Sequence, residues 1–161
     1  MRAAAVLRAL LLAAVAAPAA AALFTVEWFD SHEAASYPAR LVEVGRCWAG
    51  GMPSARWFPD LAGGCGYPFL SFYAPLSFWT AGVVQALGAG PVAAWKLVAL
   101  AAAVGGAAGA YRLAREGLGR SGAFAAAALW AWAPYSLRDL WVRGDLAEHF
   151  ALAWLPWALW A

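Results

Sequence analysis

The chain has 161 residues, of which 65% are hydrophobic and only 12% charged, with 11 tryptophans and a formal net charge of +2. Soluble domains average about 25% charged residues, so this composition excludes an ordinary water-soluble domain, and the small net charge gives no footprint for nucleic acid. The expectation is an all-α membrane protein whose abundant Ala and Gly let helix backbones approach closely.

Arg2 and Arg8 precede and enter an apolar run from Ala9 to Val26, long enough to cross a hydrocarbon core of about 30 Å. The positive-inside rule then puts the N-terminus in the cytoplasm and the following loop outside. A cleaved signal peptide is the competing reading, because Ala20-Ala21-Ala22 suits a small-residue cleavage site; the loop stays external either way.

That loop runs from residue 27 to 90 and opens with Glu27-Trp28-Phe29-Asp30-Ser31-His32-Glu33. Carboxylates at a membrane-water boundary sit near apolar surroundings that raise basicity, yet polar substrates still reach them. The bland alternative makes Asp30 the N-cap of the next helix, with Glu33 completing a capping box. Ser31 to Trp48 reads as an amphipathic surface helix, with Leu41, Val44 and Trp48 on one face and Arg40, Glu43 and Arg46 elsewhere. Gly50-Gly51-Met52-Pro53 breaks it, and Gly63-Gly64-Cys65-Gly66-Tyr67-Pro68 forms a second turn-rich stretch. Cys47 and Cys65 share this loop, where an oxidising compartment permits either a disulfide or two free thiols.

Residues 69–87 are apolar but interrupted by Pro75 and crowded with Phe69, Phe72, Tyr73, Phe78 and Trp79, aromatics that favour the interface. The next spans are expected at about 91–113, with Pro91 in the first turn and Lys96 snorkelling back to the surface, and at about 121–137. Arg112, Arg115 and Arg120 lie between them, opposed only by Glu116. A charged turn from Arg138 to His149 leads into a last apolar run, 150–161, too short to span; this predicts that the chain is the N-terminal part of something longer. Parity decides the status of 69–87. If that segment crosses, the two acidic clusters lie on opposite sides; if it is a surface or re-entrant helix, the arginines fall inside and both clusters lie outside together. The second arrangement satisfies the charge rule.

The candidate chemistry rests on two groups. Asp30 and Glu33 are the candidate catalytic acids, with His32 beside them; Asp139, Asp145, Glu148 and His149 form the second group with Arg138 and Arg143. Arginines grip phosphate oxygens, so His32, Lys96, Arg138 and Arg143 are the candidate substrate-binding residues. Asp30, Asp139 and Glu148 offer oxygen ligands for a divalent cation such as Mg or Mn, and a Zn site from His32, His149 and two carboxylates is chemically open, although no compact ligand motif is present. A purely structural reading pairs Arg138 and Arg143 with neighbouring acids. The sequence holds no nucleophile elbow, phosphate loop or Cys-x-x-Cys pair.

Phe29-Asp30-Ser31-His32-Glu33, then Gly66-Tyr67-Pro68-Phe69-Leu70-Ser71-Phe72-Tyr73-Ala74-Pro75-Leu76, then Ala133-Pro134-Tyr135 and Asp139-Leu140-Trp141-Val142-Arg143-Gly144-Asp145-Leu146-Ala147-Glu148 together resemble the start of bacterial multi-pass proteins labelled 6-pyruvoyl-tetrahydropterin synthase-related. Nothing in them resembles the soluble pterin enzyme. In architecture that group is similar to GT-C membrane glycosyltransferases, which implies a transmembrane helix bundle with surface helices on its external loop, in the bacterial inner membrane. It also implies a polyprenyl-phosphate-linked sugar donor and transfer on the outer face. Asp30 would match the first-loop general base, and Asp139 or Glu148 the second-loop acids that in metal-dependent members bind a divalent cation. Asp145 departs from a position where a small residue is expected. The alternative of a different class is a non-catalytic lipid-glycan transporter or assembly protein of the same architecture; on either reading the partners are the bilayer and a lipid-borne headgroup, and a fragment is expected to be inactive alone.

Overall fold

A computed structural model describes residues 2–161, the side chains of 2–5, 8, 9 and 22 excepted, so the side chains of Arg2 and Arg8 lie outside the described part. The order is α1 (Arg2–Ala21), α2 (Tyr37–Ala49), α3 (Pro75–Ala86), α4 (Pro91–Ala114), α5 (Arg120–Ala131), α6 (Pro134–Arg138), a π-helical turn (Asp139–Arg143) and α7 (Leu146–Trp160). Short 3-10 turns lie at Ala22–Phe24 and Phe69–Ser71. Extended structure among the described residues is confined to one isolated bridge, Phe58 with Tyr67. The all-α expectation therefore holds.

Prolines set most helix starts. Pro38, Pro75, Pro91 and Pro134 each occupy the first turn of a helix, where a missing N–H costs nothing and φ is already helical. Pro134 also ends the span expected at 121–137: α5 stops at Ala131 and a separate five-residue helix follows. Likewise α2 begins at Tyr37 rather than Ser31, and α3 at Pro75 rather than residue 69.

The central helix is α4, which α1, α2, α3, α5 and α7 all pack against. Its 24 residues rise about 36 Å, and among the described residues it is the one helix long and apolar enough to cross a membrane. By contrast α3 has 12 residues and rises only about 18 Å, short of a hydrocarbon core of about 30 Å.

Two hydrophobic clusters divide the length of α4. Near its start, Trp95 and Val98 pack with Tyr37, Leu41, Phe58, Phe69 and Phe78 from the first loop and with Leu140 and Leu146 from the second. Near its end, Ala107 and Tyr111 pack with Leu12 and Ala16 of α1 and with Ala123, Ala127 and Ala131 of α5. The expected apolar face of α2 is present, for Leu41 and Val44 are buried and Trp48 lies over Gly82 of α3. Glu43 departs from the expectation. Instead of facing solvent it is buried, accepting hydrogen bonds from Arg46 at 2.7 Å and from the Asp60 N–H at 3.3 Å.

Candidate functional site

The first and second acidic groups meet through the backbone. The His32 N–H donates to the Val142 carbonyl and the Glu33 N–H to the Arg143 carbonyl, each at 3.1 Å. Gly144 makes this approach possible: its φ of +66° suits glycine, and a Cβ there would lie 2.3 Å from Ser31 Oγ. Phe29 wedges the same loop between Trp95 and Trp141, with ring centroids 5.5 Å from each. Rings packed this way hold an irregular loop that has no ladder of its own.

These long-range bonds displace the capping reading of Asp30. Residues 31–36 form turns, Ser36 takes the N-cap position of α2, and Asp30 is exposed before them. Glu33 accepts from Ser36 Oγ at 2.5 Å and from Arg40 at 3.0 Å, so it braces the entry to α2 rather than completing a box with Asp30. His32 is exposed beside it.

The second group is organised around Arg143. Its guanidinium lies 2.5 Å from Glu148, 3.3 Å from Asp139 and 3.7 Å from Asp145. Tyr135 donates to the other oxygen of Glu148. Asp139 is only 1% exposed, and neither of its oxygens has a hydrogen-bond partner. Burial pushes its carboxyl up to about 7; the charge of Glu148 adds to this and Arg143 opposes it. A carboxyl so placed exchanges a proton near neutrality. Tyr135, Arg138, Asp139 and Arg143 line a pocket of about 250 Å³ with the exposed Arg138 at its rim.

Asp145, which the resemblance weighted least, is the most heavily bonded acid. Its Oδ1 accepts from the N–H groups of Ala147 and Glu148 at 3.0 and 3.2 Å, capping α7, and from the hydroxyls of Tyr37 and Tyr73 at 2.9 Å each. Burial raises Tyr37 far above an ordinary phenol and pushes Tyr73 up to about 12, so both stay protonated and donate. Neither tyrosine figured among the sequence candidates. The cap was readable, since Asp145-Leu146-Ala147-Glu148 has the acidic-x-x-Glu spacing of a helix start.

Two expectations about binding groups are corrected. Lys96 is buried, 7% exposed, and donates to the Val26 carbonyl where α1 leaves the bundle; it neither snorkels nor joins the Arg138 pocket. His149 is buried with Nε2 3.3 Å from the Ala99 carbonyl on α4, so it does not reach the exposed His32 to form a zinc site. Among the described residues no three His, Cys, Asp or Glu side chains gather as a metal set. Between Asp139 and Glu148 the position a divalent cation would take holds the Arg143 guanidinium, so the residues present do not fit the cation implied for Asp30, Asp139 and Glu148. Cys47 is buried, Cys65 is exposed, and both are free thiols.

A helical bundle around one membrane-length helix, with two polar loops pinned together beside its first turns, defines the class as all-α. Residues 70–161 match the profile of a family described as the 6-pyruvoyl-tetrahydropterin synthase related domain, a membrane protein. The chain belongs to that family. No curated protein and no solved structure matches it.

Proposed function

We propose that the protein carrying this chain transfers a sugar from a polyprenyl-phosphate-linked donor at the outer face of the bacterial inner membrane, with its N-terminus cytoplasmic. The observation that supports this reading is the backbone pairing of His32 and Glu33 with Val142 and Arg143, which joins the segment directly after Asp30 to the segment that lines the pocket of Arg138, Asp139 and Arg143. A phosphate leaving group needs positive charge, which Arg138 and the rim-facing part of Arg143 supply. The attacking hydroxyl needs a base, and Asp30 is exposed and outside the ion pairs that engage Glu33, Glu43 and Asp60 of the same loop. Asp139 sits deeper, as a proton reservoir against the arginines. The first loop thus activates the acceptor while the second holds the donor.

The test is Asp30→Asn, which keeps size while removing basicity. With a defined polyprenyl-phosphate sugar, turnover should fall about 100-fold while insertion and folding stay normal. Near-normal transfer by this variant would remove Asp30 from the mechanism. A second reading, a non-catalytic protein that holds lipid-linked glycan headgroups, is favoured by how fully Glu33, Asp145 and Glu148 are engaged in structural bonds. Donor binding lost in Arg138→Gln, with no sugar transferred by the unaltered protein, would decide for it.

A further inference from the structure

Charge is divided along α4. Of the nine acidic residues in the sequence, Glu27, Asp30, Glu33, Glu43, Asp60, Asp139, Asp145 and Glu148 lie in or beside segments that pack around Trp95 near its start. Only Glu116 belongs to the other end. There Arg112 lies in the last turn of α4, Arg115 follows in the connection and Arg120 opens α5. The course of α1 adds to this asymmetry. Its Ala20 packs in the Trp95 cluster while Leu12 and Ala16 pack with Ala107 and Tyr111, so α1 runs antiparallel to α4 and its first turns fall at the arginine end.

The arginine end also has a specific apolar partner. The Arg112 guanidinium lies 4.5 Å above the Trp160 ring, and the Trp160 N–H donates to Glu116 at 3.1 Å. Arg112 and Glu116 are 3.6 Å apart, longer than the 2.7–2.9 Å of a tight charge-assisted bond. Arg115 reaches the Leu118 carbonyl at 3.3 Å, and Leu118 is 53% exposed beside it. Exposed Trp and Leu next to guanidinium groups, at the end of a helix about one bilayer long, supply both layers of a headgroup boundary: an apolar surface for the glycerol region and donors for phosphate. Glu116 neutralises one of the three arginines, and two positive charges remain.

We propose that Arg112, Arg115 and Arg120, with Trp160 and Leu118, form a binding site for anionic phospholipid headgroups on the leaflet opposite the polar pocket. The site is independent of any sugar transfer, for no residue in it belongs to the pocket of Arg138 and Asp139.

The experiment uses the whole chain purified in neutral detergent, with phosphatidylglycerol and phosphatidylcholine titrated in and retained lipid counted by native mass spectrometry. Phosphatidylglycerol should be preferred by roughly 30-fold, the value for two uncompensated charges near a headgroup. The triple variant Arg112→Gln/Arg115→Gln/Arg120→Gln should lose that preference, and the corresponding Lys variant should keep most of it, because Lys retains the charge. Glu116→Gln, which removes the side-chain carboxylate paired with Arg112, should strengthen it. That last variant tests the site even if the triple Gln chain fails to fold. Equal retention of the two lipids, an unchanged preference in the triple Gln variant, or no gain in Glu116→Gln would overturn the proposal. Full displacement of phosphatidylglycerol by equimolar inorganic phosphate would also overturn it, since the site would then be one for free anions.

Discussion

Around Trp95 the core is made of rings and branched chains brought in by short helices and turns of the two loop regions; around Ala107, further along the same helix, it is made mainly of alanine brought in by α1 and α5. The first cluster gathers short helices and turns that reach α4 from several directions, and large side chains fill the irregular space between them. The second gathers regular helices, and its small side chains let α1, α5 and α7 approach α4 closely enough for backbone and indole to touch: Trp157 donates to the Gly105 carbonyl at 2.9 Å. One helix therefore serves two packing regimes, and only the first builds a polar pocket. Shape is supplied by volume at one end and by its absence at the other.

That contrast is open to attack from both sides. Trp95 is fully buried and touches the rings of Trp28, Phe29 and Tyr37, so Trp95→Ala should cost about 3–5 kcal/mol of stability, measured as unfolding in mixed micelles. A loss below 1 kcal/mol would mean that the loops are not held by rings. At the other end the dangerous change adds volume. A Cβ on Gly109 would stand 2.7 Å from Trp157 Nε1 and 3.0 Å from Pro156, so Gly109→Leu should cost about 1–3 kcal/mol and reduce protection of α7 from proteolysis. If Gly109→Leu is neutral, close approach is not what holds that end.

The loop junction gives a more local test. Gly144→Ala both strains a left-handed residue and strikes Ser31 Oγ, which should cost about 1–2 kcal/mol. Adding Ser31→Ala should recover part of the loss in a double-mutant comparison. Strict additivity would show that the two loops do not meet there. Asp139 should give a signal of a different kind, read as a slope against pH rather than as a single loss. Its carboxyl titrates near 7 in the folded chain against 3.8 ordinarily, so the folded state keeps a proton that the unfolded state has released. The stability it confers is therefore present below about pH 4, declines as pH rises to about 7 and is flat above, with a slope of at most about 1.4 kcal/mol per pH unit. Asp139→Asn should remove that slope; its persistence would assign it elsewhere.

Much of the bundle was legible before any coordinates. Pro91 and the apolar run after it give α4 almost to the residue, and the two acidic groups that the sequence singles out meet through backbone pairing. The first loop was less legible for a physical reason. Asp30, Ser31 and Glu33 carry a plausible local capping pattern, but the N–H groups of His32 and Glu33 bond to residues more than a hundred positions away, and no local pattern reveals such partners. Arg143 had two readings, a phosphate grip or a partner for neighbouring acids, and the pairing is present: much of its charge is already spent on Asp139 and Glu148. Tyr37 and Tyr73 were passed over because a tyrosine in an aromatic stretch reads as packing until the acid it bonds, Asp145, is placed beside it.

The π-helical turn carries one further consequence, for the tolerance of the chain to length changes. Between Asp139 and Gly144 the backbone closes a wide ring, with the Gly144 N–H donating to the Asp139 carbonyl at 2.9 Å. An α-helical turn would use one residue fewer. Homologous chains should therefore freely lengthen or shorten the glycine-rich segment near residue 63, where added side chains meet open space, yet keep the spacing from Asp139 to Asp145 fixed. Losing one residue there would turn everything beyond it by about 100°, carrying the arginine off its acids and the cap off its helix in a single step.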